Sequence, residues 1–514
     1  MLKGPPILAA SGVNWSGVYG GVNFGVAKGY KYWSGPTGPV LLAAPRFPAQ
    51  GDQNGIFGGA TAGYNHQIGA WVFGLESDVS FASNYGNAVC GGAWGFGGAG
   101  WNCQATTDIL ASFAPRAGYA VSNALLYVKG GLAYAHGNYA AAALPAPFVF
   151  AHVAASSDRW GWTIGSGVEY ALGGPWSAKA EYDYYNFASR NWGVANVSQD
   201  EHLVKFGVNY RDAVIASGDA SAPASMFASE FSGEFGGRVG YTTGRFDFDL
   251  WDPIVPYQHN SRLDWIDQSG IALEGFGRVD HVSGIFAKGM IGGNALFGDH
   301  MHDEDYPPGE IPYSNTYSTT RNGNGMYGTA DLGWAYRGPG WRLGGFLGYW
   351  HNEQQLHAYG CTQLYLSGIC RPSELVPSQM NILSRFNSWN AMRIGVAADY
   401  NVTDRLKVSV DLAYMPRAIF GGHDNHWARS DINPLSDTSA GYGYQFEGVA
   451  SYRVTERLSV GVGARYWYAA ATGHTQFPFF PFSPTKYVSE RTTVFVQTSY
   501  AFGEVSSPPV VAKY

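Results

Sequence analysis

The sequence predicts an all-β fold: two transmembrane antiparallel β-barrels in tandem, eight strands and then ten. Three observations predict it. Short segments throughout the 514 residues alternate apolar and polar side chains with a period of two, and no stretch keeps a helical period. The connections between segments are long and short in turn, as in outer-membrane barrels, whose external loops are long and periplasmic turns short. The composition suits such walls, with 70 glycines and 16% aromatic residues, while only 14% of the chain is charged and mean hydropathy is −0.15. A barrel hides its membrane signal in every second residue, so a mean near zero is expected of it. A pair of large soluble β-sandwiches is the alternative with the same alternation.

Other classes fall away. The longest apolar candidate, 139–155, is too short for a helical span and contains Pro145 and Pro147. A net charge of −7, with 32 Lys and Arg scattered along the chain, leaves no basic footprint for nucleic acid. No motif calls for a cofactor; the Gly-x-Gly patterns are strand glycines, not phosphate loops. Residues 1–13 read as a periplasmic N-terminal segment. MLKGPPILAASG has no sustained apolar stretch of the signal-peptide kind, so export implies either a mature form or a start further upstream.

The first barrel is expected over 14–211, with strands near 15–27, 54–67, 70–83, 107–119, 123–136, 159–172, 175–187 and 200–211. Alternation is clearest at 175–187: Trp176, Ala178, Ala180, Tyr182 and Tyr184 share the lipid face, and Ser177, Lys179, Glu181 and Asp183 point inward. Eight strands leave little lumen, so inward side chains should fill it. The inward candidates are five acids (Glu76, Asp78, Glu169, Glu181, Asp183) and four bases (Arg116, Lys129, Lys179, Lys205), which predicts an ion-paired plug rather than a pore. Cys90 and Cys103 fall in one long connection, and Cys361 and Cys370 in another. Close pairs without CxxC spacing predict external loop disulfides rather than a zinc site. In NWSGVYGGVNFG, GYNHQIGAWVFGLESDVSFA, LLYVKGGLAYA, GVEYALGGPWSAKAEYDYYNF and EHLVKFGVNY this part resembles the small OmpA-like outer-membrane barrels of alphaproteobacteria. That family is structural and brings no catalytic residues.

Residues 212–229 are small, weakly polar and non-alternating, and read as a linker, periplasmic because an even strand count returns the chain to its starting side. Ten more segments lie within 230–502, near 230–248, 260–275, 283–293, 322–337, 341–356, 382–400, 405–418, 440–453, 457–470 and 487–502; a periplasmic tail, 503–514, closes the chain. Two long connections of this second series carry clustered polar groups. GDHMHDEDYPP supplies His300, His302, Asp303, Glu304 and Asp305, and GGHDNHW supplies His423, Asp424 and His426. Parity puts both on the external side. The strand 3–4 and strand 7–8 connections of a ten-strand ring stand on nearly opposite walls, so their side chains can meet across the mouth.

Over about 228–502 this part resembles the omptins, outer-membrane endopeptidases of the cell surface. The resemblance rests on Asp303 and Asp305 followed by Tyr306, on Asp424 and His426 followed by Trp427, and on SRLDW at 261–265. It implies polypeptide substrates and a site without metal, in which Asp424 orients His426, and His426 and Asp303 hold a water between them, with His426 as base. Asp303 and Asp305 can share a proton, because like charges raise one pKa, and that proton can serve the carbonyl oxygen or the leaving amine. Omptins that cleave beside Arg or Lys use an acidic pocket. Here one of its positions falls at Phe248, between Asp247 and Asp249, and the other at Gly422, which leaves Asp247 and Asp249 as the candidate substrate contacts. Contact with outer-membrane lipid, lipopolysaccharide included, is also implied; one arginine of that contact falls near Glu353 and a second corresponds to Arg385. Two alternatives stand beside the peptidase. One is a non-catalytic surface barrel or adhesin on the same scaffold. The other is a divalent-metal site drawing on His300, His302, Asp303, His423, Asp424 and His426.

Overall fold

The computed structural model describes residues 13–34, 49–90, 101–143, 151–192, 196–211, 230–255, 257–306, 311–365, 367, 370, 376–427, 429, 432–477 and 482–503. Residues 1–12 of the N-terminal segment, the 212–229 linker and the tail beyond residue 503 lie outside them.

Strands β1 (Gly17–Ser34), β2 (Ala49–Ile68), β3 (Trp71–Cys90), β4 (Trp101–Val121), β5 (Ala124–Ala143), β6 (Ala151–Gly173), β7 (Trp176–Asn191) and β8 (Asn196–Arg211) form a closed barrel in chain order. All eight expected strands are present, and they run further at the long-loop end than alternation suggests. A spanning strand needs only about 9–11 residues; these have 16 to 23. The ladders continue past the apolar band, where both faces are polar and the sequence pattern fades. The Cys pair shows this: the main chains of β3 and β4 are still laddered at Ala88–Cys103 and Cys90–Trp101. Cys103 is disulfide-bonded, and the Cys90 side chain lies outside the described ones.

The lumen of this barrel is the expected plug. Lys129 contacts Glu76, Asp78, Glu181 and Asp183, Lys205 contacts Asp78, Glu181 and Asp183, and Arg116 bridges Glu76 and Glu169. Outside, Phe73, Leu75, Val128, Leu132 and Ile164 are exposed, the apolar belt a bilayer would cover.

The second series comprises β9 (Phe231–Trp251), β10 (His259–Ile266), β11 (Gly270–His281), β12 (Ile285–Leu296), β13 (His300–Asp305), β14 (Ser314–Thr320), β15 (Gly323–Gly338), β16 (Trp341–Gln363), β17 (Asn381–Asn401), β18 (Leu406–His426), β19 (Leu435–Arg453), β20 (Leu458–Gln476) and β21 (Ser483–Phe502). These thirteen elements are ten wall strands. Gly270 faces Leu296 across β11–β12, and Ile266 faces His300 across β10–β13, in unbroken register. Likewise Leu296 faces Gly323 and His300 faces Thr319. Thus β10–β11, β12–β13 and β14–β15 are each one strand interrupted at the same height, and each gap holds a left-handed residue: Asp267, Gly298 or Asn322. At Gly298 (φ +77°) a Cβ would also meet the Thr320 carbonyl, so glycine is required. With β21 paired to β9 the ring closes. The strand count of ten holds, but residues 294–321, expected as a loop, continue the walls upward through β13 and β14.

Inside this ring, ion pairs fill the short-turn half: Glu274–Arg465, Glu447–Arg238, Asp331–Arg393 and Asp280–Arg342. An aromatic layer lies above them, including Trp265, Trp350, Trp389, Phe420, Trp467 and Tyr487. Cys361 and Cys370 form the expected disulfide, with Cα atoms 5.7 Å apart. The two barrels stand side by side, long-loop ends together, with β1 and β2 against β11, β12 and β15.

Candidate active site

The site is set by strand parity above the apolar belt. On β13, Met301 belongs to the apolar core, so Asp303 and Asp305, two and four positions on, face the mouth with it. On β18, Phe420 is in the same core, so Gly422, Asp424 and His426 face inward while His423 points out and stacks on Phe386. β13 is part of the third wall strand and β18 is the seventh, on facing walls as the sequence predicts.

Electrostatics ties the two walls together. The Asp303 carboxyl is pushed well above the usual carboxylate range, first by burial, then by the negative charges of Asp305 and of Asp424 across the mouth; Ser261 and Arg429 act the other way. Asp305 is raised as well, by burial, against the Arg429 charge. Ser261 Oγ lies 3.5 Å from Asp303 Oδ1. Arg429, whose amide donates to the His426 carbonyl at 3.1 Å, comes from the loop after β18, so that loop and β13 share one field.

Beneath them a buried cation anchors the seventh strand. Arg385 faces Asp424 directly in the β17–β18 ladder, with Nη1 3.1 Å from Asp424 Oδ2 and 2.5 Å from Asp437 Oδ2. Asp437 also accepts from Tyr487 Oη and Thr475 Oγ1, both at 2.7 Å. One guanidinium serves two carboxylates in a dry setting, and burial pushes Asp424 up to about 7. The guanidinium lies over the rings of Phe246, Phe248 and Phe420. Those aromatics are the floor of the site.

Several expectations need correction. Asp247 and Asp249 do not enter the mouth. On β9 the inward positions are Phe246, Phe248 and Leu250, all buried, and the alternate positions point out, where Asp247 meets Arg245 and Asp249 accepts from Arg262 Nε at 2.7 Å. Arg385 does not reach lipid: it is 1% exposed on the lumen face. The six candidate metal ligands are divided by the wall. His300 stacks on Tyr317 and His302 meets the same ring edge-on outside, and His423 is outside too, while Asp303, Asp424 and His426 face in. Asp264 of SRLDW, readable as an inward aspartate, faces out between the buried Leu263 and Trp265. Sequence reasoning missed Asp437, Arg429 and the structural role of Arg385. Asp437 follows a proline-containing loop with no motif around it, and only the ladder placing it opposite Gly422 identifies it.

Two closed rings with apolar belts define an outer-membrane β-barrel protein. Residues 6–211 match the family model described as "Outer membrane protein beta-barrel domain", and residues 240–477 match that of the "Omptin family". The chain therefore belongs to the outer-membrane β-barrel proteins, carries an omptin family domain over 240–477 in its second ring, and resides in the outer membrane of a Gram-negative cell. The 31 kDa outer-membrane immunogenic proteins of Brucella melitensis and Brucella suis are 30% identical over 212 residues, 38% of this chain and 84% of theirs. A 22 kDa outer membrane protein of Rhizobium leguminosarum is 29% identical over 167 residues, 30% of this chain and 66% of that protein. Among solved structures, the outer membrane protease OmpT of Escherichia coli aligns at 15% identity with TM-score 0.46, covering 53% of this chain and 97% of that one. Ail of Yersinia pestis aligns at 10% identity with TM-score 0.19, covering 38% of this chain and 99% of that one.

Proposed function

We propose that the second ring is an endopeptidase acting on polypeptides outside the cell, with a water activated between His426 and Asp303. The observation that carries this reading is the convergence of Asp303 and Asp305 from one wall with Asp424 and Arg429 from the facing wall. Peptide hydrolysis needs a base for water, a proton for the departing amine and stabilisation of the oxyanion. His426 is the base and Asp424 sets its orientation and charge. Burial raises both Asp303 and Asp305, so the pair can share one proton between two carboxyls and serve as the acid for the carbonyl oxygen or the amine.

Substrate preference departs from an acidic pocket. With Asp247 and Asp249 outside, β9 offers the mouth only Phe246, Phe248 and Leu250, so no counter-charge from this strand awaits an Arg or Lys side chain. The decisive experiment is a quenched peptide library on purified protein, with and without chelator. Cleavage that survives chelation and does not favour basic residues is expected. Absence of cleavage across the library points to the non-catalytic surface barrel, and restoration by Zn²⁺ after chelation to a metal site. The non-catalytic reading draws support from one contact, the ion pair that engages Asp424 with Arg385.

A further inference from the structure

The face between the two rings is built rather than incidental. Outward glycines of the second ring are sockets for side chains of the first. A Cβ on Gly275 would lie 2.3 Å from the Phe206 ring, one on Gly237 2.6 Å from Phe24, and one on Gly293 3.0 Å from Val26 and 3.1 Å from Ile56. Val26 and Ile56 turn away from their own lumen yet are only 3% and 9% exposed. Higher up, the outward Lys28 meets the outward Glu353 at 2.6 Å, and Asn54 adds a bond to the same carboxylate at 3.3 Å. A charge on a barrel's outer face is costly next to lipid, and here each has its partner on the other barrel.

At the long-loop end this seam reaches the site. Tyr85 and Tyr359 hydroxyls are 3.0 Å apart, and Gln355 donates to the Asp52 carbonyl at 3.1 Å. Asn87 of β3 donates to Ser384 Oγ at 2.5 Å. The same oxygen accepts from Trp427 Nε1 at 2.9 Å, and lies 3.0 Å from His357 Nδ1. Burial lowers the His357 pKa to about 3, so its ring is neutral and Nδ1 can accept the Ser384 hydroxyl proton. Trp427 directly follows His426, and its own amide donates to the Ile382 carbonyl at 2.9 Å. A cavity of about 120 Å³, lined by Asp52, Asn87, His357, Ser384 and His423 among others, lies in this corner.

We propose that the first barrel is a lateral partner that positions the peptidase site of the second: Asn87 fixes Ser384, and Ser384 fixes Trp427 and with it the end of β18 that carries Asp424 and His426. Asn87 and Ser384 are thus positioning residues; neither faces the mouth. The inference rests on the peptidase reading for its kinetic consequence but not for its structural one.

The test uses the full chain folded in detergent, with Asn87→Ala, Asn87→Asp, Ser384→Ala and Ser384→Thr, each checked for heat-resistant barrel migration. Backbone amide exchange over 420–427 and peptidase kcat and KM are read on the same samples. Loss of the Asn87 or Ser384 contact should speed exchange of that segment at least threefold and lower kcat about tenfold with KM within twofold. Ser384→Thr, which keeps the hydroxyl, should stay near wild type in both. Unchanged exchange in Asn87→Ala overturns the inference even where Ser384→Ala speeds it, and so does faster exchange with unchanged kcat. If the wild-type chain cleaves nothing, the peptidase reading fails by itself, and exchange alone decides whether the first barrel holds β18.

Discussion

The two rings enclose charge in opposite ways. In the first, acids and bases interlock from wall to wall, and Lys129 alone touches four carboxylates. In the second, a comparable network fills only the lower half. Above the aromatic layer, among the described residues, four carboxylates (Asp303, Asp305, Asp424, Asp437) face the mouth region with one buried cation, Arg385, and the peripheral Arg429. Matched charges make a plug. An excess of one sign, desolvated, raises Asp303, Asp305 and Asp424 above the usual carboxylate range, Asp424 to about 7, and so makes groups able to hold a proton. The contrast is therefore one of charge balance within similar walls.

The sharpest break of this contrast comes from the mouth. His426→Ala and Asp303→Ala should each lower kcat by about three orders of magnitude or more, because members of such a unit act together. Heat-resistant migration should not change, since neither side chain belongs to the apolar core. Full activity in folded His426→Ala would end the proposed mechanism.

The plug should respond in the opposite sense. Lys129→Met leaves the buried acids Glu76, Asp78, Glu181 and Asp183 one positive charge short in a dry lumen, with Arg116, Lys179 and Lys205 as their remaining partners, and loss of one partner from a buried pair costs up to about 3–5 kcal/mol. Urea unfolding of the first barrel should report that loss, while cleavage per folded molecule stays near wild type. A stability change below about 1 kcal/mol would mean that water reaches this lumen.

How much of this the sequence discloses depends on which side of the membrane surface a residue lies. Within the belt, lipid enforces alternation, so all the spanning strands and the charged plug can be read directly. Above it, nothing requires an apolar outer face, so β13 and β14 resemble a loop although their ladder register is unbroken. Asp303, Asp305, Asp424 and His426 can be read because they form short motifs. Asp247 and Asp249 mislead for a physical reason: proximity in sequence to Phe248 says nothing of face, and alternate residues of a strand point oppositely. Arg385 misleads similarly, since a lone arginine near a barrel rim suits lipid or lumen equally until its register partner, Asp424, is known.

A smaller effect separates the rings by pH. Burial raises Asp424 to about 7, above the ordinary aspartate value of about 3.9. The folded state then holds a proton that the unfolded chain releases between those values. Its stabilising effect is complete below about pH 4 and fades as pH rises through 7, with a slope of up to about 1.4 kcal/mol per pH unit. Unfolding of the second ring's external end should accordingly shift to lower urea from pH 5 to pH 8, and Asp424→Asn should flatten that slope. A slope unchanged in Asp424→Asn would assign the proton to another group.

The smallest expected effect concerns the outer face. Asp247→Asn and Asp249→Asn, singly or together, should change kcat/KM for any peptide by less than about twofold. Their neighbours set this expectation. Asp247 lies 3.4 Å from Arg245, itself held by Glu490, and Asp249 pairs with Arg262, all on the side of β9 away from the mouth. Between them the wall presents Phe248, 2% exposed and packed on Tyr487 and the Arg385 guanidinium. A substrate side chain in the mouth meets these rings and not the two carboxylates, whose field is further offset by the adjacent arginines. Exposed ion pairs of this kind contribute at most about 1 kcal/mol, so stability should barely move either. The measurement is a comparison of peptides differing only in Lys or Leu beside the scissile bond, on wild type and the double variant. A selective loss of Lys cleavage in the double variant would show that this strand turns its acidic face to the substrate, and would reverse the parity on which the assignment of the mouth depends.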